Sequence, residues 1–296
     1  MSKSYRSGFV TVLGRPNVGK STLVNRLVGE RVSIVSPRPQ TTRNKLVGIV
    51  HQEDAQIVFV DTPGLHQPRT RLGDYMVKVA EDSLQGIDVL CLMVDATRVQ
   101  DADVTLARQY ADRKVTKYLL INKTDAVHPQ ELLPIIAKFA PMAYDMILPI
   151  SARTGEGLDT LLSSILKVLP EGPAYFPEDM WTDQTERQMV AELIREKALL
   201  NLKEEVPHGI GVEVLSMREQ SSDLMEIHAT VYCDRDAHKG IIIGKAGSML
   251  QKIGSQARES IELLIGMRVN LQLFVKVREG WRDRPSDLNN LGYTER

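Results

Sequence analysis

GRPNVGKS, Gly14–Ser21, follows the apolar run FVTVLG (9–14) and opens a helical pattern near residue 19. It fits G-x-x-x-x-G-K-S/T in the strand–loop–helix setting that gives this pattern its chemical meaning. The glycines let backbone N–H groups close around phosphates, Lys20 reaches the β- and γ-phosphates, and the Ser21 hydroxyl suits Mg2+. The start of the helix adds its partial positive charge. Gly14, Arg15, Pro16, Asn17, Val18, Gly19, Lys20, Ser21 and Thr22 are therefore the candidate phosphate cradle.

Around this loop, strands at 9–14, 45–51, 56–61, 88–95, 117–122 and 146–151 alternate with helices near 19–28, 73–85, 101–112, 129–139 and 157–168. That alternation predicts an α/β domain over 1–170 with a mostly parallel six-stranded sheet. Only QEDA separates the second and third strands, too little for a crossover helix, so this pair is expected as an antiparallel hairpin at the sheet edge.

Three further motifs fall at carboxyl ends of strands, where ligands bind open α/β sheets. In DTPG, Asp61, Thr62, Pro63 and Gly64 are candidate nucleotide-binding residues: Asp61 can hold Mg2+ through a water, and the Gly64 N–H can contact a γ-phosphate. In NKTD, Asn122 and Lys123 lead to Asp125, whose two oxygens match the paired N1–H and N2–H2 donors of guanine. In SAR, Ser151 and Ala152 can offer a backbone N–H to guanine O6. RPQTTR (38–43) reads as a switch loop in which a threonine closes on Mg2+; Thr41 and Thr42 both qualify, and Thr42 is preferred. The expected metal set is Ser21, Thr42 and Asp61. Leu65 stands where well-known GTPases place a water-orienting glutamine.

PEGPAYFPEDMW (170–181) reads as a proline-rich linker over 171–181. Beyond it, a helix over 185–205, strands at 210–219 and 225–233, a Gly-rich helical segment at 239–266, a strand at 269–279 and a polar tail describe a small α+β domain over 182–296. Gly244-Lys245-Ala246-Gly247, between an apolar turn and an amphipathic helix, fits the loop with which a KH domain clamps about four nucleotides. Residues 182–238 hold 6 Lys/Arg against 12 Asp/Glu, whereas 239–284 hold 9 against 4, so positive charge gathers beside that loop. Lys239, Ile243, Gly244, Lys245, Ala246, Gly247 and Lys252 are the candidate RNA-binding residues, and a shortage of aromatics argues against extensive base stacking.

Together GRPNVGKS, the QTTR loop, DTPGLH, NKTD and SAR resemble the Era and tRNA-modification branch of GTPases, and with a KH type 2 domain the Era family in particular. The resemblance implies slow hydrolysis of GTP to GDP with Mg2+, and a K+ ion held partly by Asn17 in place of an arginine finger. It makes Lys20, Asn17, Thr42 and Gly64 the catalytic set. It also implies binding to the 3′ end of 16S rRNA, a role in 16S processing and 30S subunit assembly, and peripheral contact with the inner membrane by a monomer. Ala246 departs from the GKGG of many relatives. An asparagine also suits a tight turn for purely local reasons.

Bulk properties agree with a cytoplasmic protein of two domains: 296 residues, 43% hydrophobic, 25% charged, net charge −1. No apolar run approaches the ~20 residues a membrane span requires. MSKSYRSG runs into a strand without a signal-like apolar core, and Cys91 and Cys233 read as buried thiols. Leu65 leaves open an RNA-binding factor with a merely structural nucleotide; a membrane-surface GTPase with a protein-binding KH unit lacks the basic amphipathic helix it would need.

Overall fold

The computed structural model describes residues 4–38, 40–65 and 68–293. Pro39 of the switch loop and His66 of DTPGLH lie outside the described residues. The chain divides into two compact units: Met1–Ser33, Thr42–Gln67 and Met76–Asp183 form the first, and Ile34–Thr41, Pro68–Tyr75 and Gln184–Arg296 the second.

In the first unit the elements are β1 (Arg6–Leu13), α1 (Lys20–Val28), β2 (Leu46–Gln52), β3 (Ala55–Asp61), α2 (Arg71–Asp82, which the unit boundary crosses), β4 (Val89–Asp95), α3 (Asp101–Ala111), β5 (Thr116–Asn122), α4 (Pro129–Phe139), β6 (Met146–Pro149) and α5 (Leu158–Val168). The sheet order is β2-β3-β1-β4-β5-β6, and β2–β3 is the antiparallel pair the short connection demanded. Strand order reverses at β1, so the loop leaving β1 opens at a topological switch point. Every residue of β3 is buried, because α1 and α5 cover one face and Phe176 and Met180 lie against the other, leaving no solvent side for an alternating pattern. Val10, Val12, Ile57 and Phe59 pack toward Leu23 and Leu161 on one face; Leu13, Leu90, Leu92 and Leu119 pack toward Ala80 and Phe139 on the other.

Residues 170–182 are not a free tether. Gly172 donates its N–H to Tyr5 O, Ser7 Oγ donates to Pro173 O at 2.6 Å, and the Ile49 N–H reaches Trp181 O at 3.0 Å. Gln56, fully buried in β3, accepts from the Tyr175 and Phe176 N–H groups and donates to Phe176 O. Phe176 and Met180 pack on Val47, Ile49 and Val58. The prolines therefore stiffen a strap lying on the sheet of the first unit.

The second unit contains α6 (Glu186–Asn201), β7 (Gly211–Ser221), β8 (Leu224–Cys233), α7 (Asp236–Ile243), α8 (Ser248–Ile265), β9 (Arg268–Val277) and α9 (Pro285–Asn290). Its sheet runs β7-β8-β9, antiparallel then parallel. Thr185 caps α6 through a reciprocal box with Gln188, and Val190, Ile194 and Ala198 face the sheet with Ile253, Ala257 and Ile261 of α8. Residues 280–293 of the expected polar tail are structured. Trp281 is fully buried, donates Nε1–H to Gly209 O at 2.9 Å and stacks on Tyr293 at 6.1 Å. Its single indole carries about 3–5 kcal/mol against truncation to alanine, enough to pin a segment rich in polar residues.

Candidate functional site

The loop between β1 and α1 is shaped by its own lysine. Lys20 is buried, and its Nζ donates to Gly14 O and Arg15 O, each at 3.1 Å, drawing the loop into a ring. Loss of hydration pushes its pKa down to about 8, with Asp61 acting in the opposite sense. Gly19 has φ 107°, and a Cβ there would lie 2.2 Å from Asn122 Nδ2. A Cβ on Gly64 would lie 2.7 Å from Pro16 Cα, so DTPG abuts the loop directly. Asn17 is exposed with φ 63°, a conformation asparagine tolerates. The Arg15 side chain turns away from the loop to form a bidentate pair with Asp103 (2.7 and 2.8 Å).

At the metal corner, Ser21 Oγ and Thr42 Oγ1 lie 2.9 Å apart, and Asp61 Oδ2 accepts from Ser33 Oγ at 2.8 Å and from Thr42 Oγ1 at 3.4 Å. Asp61 is fully buried, and its other oxygen, Oδ1, has no hydrogen-bond partner. Burial raises the Asp61 pKa, opposed by Lys20 and by hydrogen bonds from Ser21, Ser33 and Thr42. An orphaned carboxylate oxygen beside two hydroxyls is a hard-oxygen donor set that fits Mg2+. Thr41 faces elsewhere: its hydroxyl donates to Arg38 O at 2.7 Å. Ser33 has no motif of its own. Its placement comes from Asn25, which accepts the Ser33 N–H and donates to Ser33 O.

At the other end of the loop, Asn122 staples three motifs, donating Nδ2–H to Val18 O and accepting the Ala152 N–H at Oδ1. Lys123, at φ 69°, bridges Asn17 O (3.0 Å) and Asp95. Asp125 accepts from Ser151 Oγ at 2.6 Å and pairs with Arg153. The N–H groups of Ser151 and Ala152, offered above for guanine O6, already have acceptors in Glu156 O and Asn122 Oδ1. Leu65 is anchored twice: its N–H donates to Gly14 O, and its side chain packs on the cluster around Leu13 and Ala80. Packing thus explains a leucine where a polar residue was looked for.

In the second unit, Lys245 and Ala246 are exposed at the tip between α7 and α8, Ile243 and Lys239 are half-buried on α7, and Lys252 is exposed on α8. Gly244 must be glycine: φ is 73° and a Cβ would meet the Met249 N at 2.8 Å. Ala246 also lies in the left-handed region, φ 50°. Gly247 leads into α8, whose first turn carries no acidic residue. A groove of about 460 Å3 continues from Gly247 between α8 and β9, lined by Leu250, Arg258, Asn270 and Leu271 among others. The sequence signal for it was weak, since only the apolar face of α8 points to it. Among the isoleucines of α7, Ile242 is core and Ile241 is half exposed. In keeping with the expectation of few exposed aromatics, Phe274 of β9, at 48% exposed, is the one aromatic among the exposed large hydrophobic residues described in this unit.

A family model described as "50S ribosome-binding GTPase" matches residues 9–123, and a KH domain model matches 205–282. GTPase Era of Alkaliphilus metalliredigens is 49% identical over 98% of this chain and 99% of its own. The chain belongs to the GTPase Era family. GTPase Era of Clostridium tetani is 50% identical over 98% of this chain and its own full length. A crystal structure of Era in complex with MgGDPNP and nucleotides 1506–1542 of 16S ribosomal RNA superposes with TM-score 0.92 at 40% identity, covering 98% of this chain and 100% of that one. A variant of Aquifex aeolicus Era bound to GDP.AlF4− matches with the same score, identity and coverage. Family membership accounts for both halves: a P-loop GTPase domain with a mostly parallel sheet, then a KH domain. Among the described residues no helix is long and apolar enough to cross a membrane.

Proposed function

We propose that this GTPase is a switch that binds the single-stranded 3′ end of 16S rRNA through its KH unit and acts in 16S processing and 30S subunit assembly. The observation that carries the GTPase half is the convergence of Lys20, Ser21, Thr42 and the orphaned oxygen of Asp61 beside one phosphate loop. The RNA half rests on the exposed Gly244–Gly247 loop and on the 40% identical relative solved with 16S rRNA. That relative, which spans the full chain, weighs more than the 50S wording of a model matching 9–123.

In this reading Ser21, Thr42 and Asp61 hold Mg2+, which when bound neutralises charge on the phosphates. Lys20 supplies a second positive charge, Gly64 senses the γ-phosphate, and Asn122, Lys123, Asp125, Ser151 and Ala152 frame guanine. The GTPase domain spans 1–170, the linker 171–181 and the RNA-binding domain with its tail 182–296. The segment 34–41 gives a route for gating. It belongs to the second unit, where Arg195 donates to Thr41 O and the Val35 N–H reaches Glu196 Oε1 at 3.1 Å, while its neighbours Ser33 and Thr42 belong to the metal corner. A monomer acting in the cytoplasm with peripheral contact at the inner membrane completes the reading.

Asn17 as a K+ ligand is the point most open to test, because its left-handed backbone already suits an asparagine. GTP turnover measured in KCl and in NaCl, for the wild type and Asn17→Ala, addresses it. Turnover is expected to fall about a hundredfold in NaCl and likewise in the variant, the low end of the range for removing one transition-state charge contact. Equal rates in both salts with an unaffected variant overturn the K+ role; no turnover in either salt returns the nucleotide to a structural part.

A further inference from the structure

The sheet of the second unit is covered by α6 and α8 on one face. Met225, Ile227, Ala229 and Val231 of β8 and Val269 of β9 join that core, so the intervening residues point to the other side. Along β9 the outward stripe is Arg268, Asn270, Gln272, Phe274 and Lys276: two cations, two amides and an aromatic ring, with no carboxylate. Phe274 is 48% exposed and meets His228 of β8 edge-on, ring centroids 6.4 Å apart. Two buried polar atoms on the same face lack hydrogen-bond partners: His228 Nε2, with Glu226 Oε1 3.6 Å away, and Oγ1 of Thr230, the direct cross-strand partner of Phe274. Moreover, β9 is an edge strand, and its Leu271 and Leu273 line the groove that begins at Gly247. Groove and outer face therefore meet along one strand: Leu271 and Leu273 line the first, Phe274 stands on the second, and Asn270 reaches the groove from the strand edge.

We propose that this outer face is a second subsite for single-stranded RNA. A strand leaving the groove crosses the free edge of β9 and stacks a base on Phe274, with Lys276 near a phosphate. The inference rests on the RNA reading of the KH unit. RNA suits the stripe better than protein, because one exposed ring among amides and cations offers a base platform but little apolar area. Stacking of this kind tolerates any base.

The test uses the full chain and fluorescently labelled single-stranded RNAs from the 16S 3′ end. One has about four nucleotides, enough for the clamp, and one has about ten. Phe274→Ala is expected to weaken the longer RNA about tenfold, the scale of one lost stacked base, and to leave the shorter one unchanged. Phe274→Trp should restore binding and Phe274→Leu should not. Equal binding of the longer RNA by the wild type and Phe274→Ala, with Gly244→Asp impaired, overturns this subsite and leaves the clamp standing. Equal losses on both RNAs also overturn it, assigning the ring to the groove. Unchanged binding in Gly244→Asp overturns the clamp and this inference with it.

Discussion

Lys20 shows how one side chain can serve opposite ends. Its ammonium costs stability because it is buried, yet it is the charge that phosphates need. With an ordinary lysine pKa near 10.5 in the unfolded chain and about 8 in the folded one, the unfolded state holds more protons between those values. Stability of the nucleotide-free protein should therefore rise as pH climbs through that window, and below it the cost of the buried charge is fully present. Phosphate favours the charged form, so GDP binding at about pH 9 should take up close to one proton, and at about pH 6.5 none. Calorimetry in buffers of different ionisation enthalpy reads this directly; no uptake at the higher pH contradicts it. Ala246 makes a second case. At φ 50° it carries roughly 1–2 kcal/mol of strain that glycine would not, partly offset by the greater entropy of glycine when unfolded. Ala246→Gly should leave stability within about 1 kcal/mol of wild type in urea titrations. A loss of several kcal/mol would mean that the alanine methyl is packed, against its exposed position.

The strap over 170–182 depends on Gln56, which makes three hydrogen bonds to Tyr175 and Phe176 from a fully buried position. Gln56→Leu leaves two N–H donors and one carbonyl without partners, at about 1–3 kcal/mol each if they stay buried. Amide exchange across 172–182 should accelerate at least tenfold, with β4 and β5 protected as before; unchanged exchange in the strap would refute its dependence on Gln56. This is also where the sequence was least informative. Prolines 170, 173 and 177 read as a linker because local chemistry says only that the chain is stiff and non-helical. What it lies on is decided by a glutamine more than a hundred residues away. For the same reason Ser33 went unseen, since its contact with Asp61 is set by Asn25 and not by a spacing rule. Trp281 was hidden among charges, although a tryptophan in a polar tail is itself a signal of burial. By contrast, the strands, the β2–β3 hairpin and the positions of Lys20, Asp61, Asn122 and Gly244 were legible. Each depends on apolar runs or on glycine and capping chemistry that act within a few residues.

For the whole molecule, gating would make GTP and RNA binding reciprocal, each altering the other's affinity by the same factor. Arg195, fully buried and kept charged against the cost of burial by Glu192 and Glu196, donates to the carbonyl next to Thr42. Arg195→Met should bring the ratio of RNA affinities in the GTP-analogue and GDP states toward unity, from about 5-fold or more in the wild type. A ratio unchanged in the variant would exclude this route. The two thiols offer a different opportunity. Cys91 sits in the sheet of the first unit with its pKa pushed up to about 12 by burial, and Cys233 sits in the core of the second. Neither can meet an alkylating reagent unless its own unit opens, so the labelling rates of these two atoms in one native sample form a pair of clocks. Read with and without GDP or RNA, they would show which half of the protein each ligand steadies, without adding a probe to the chain.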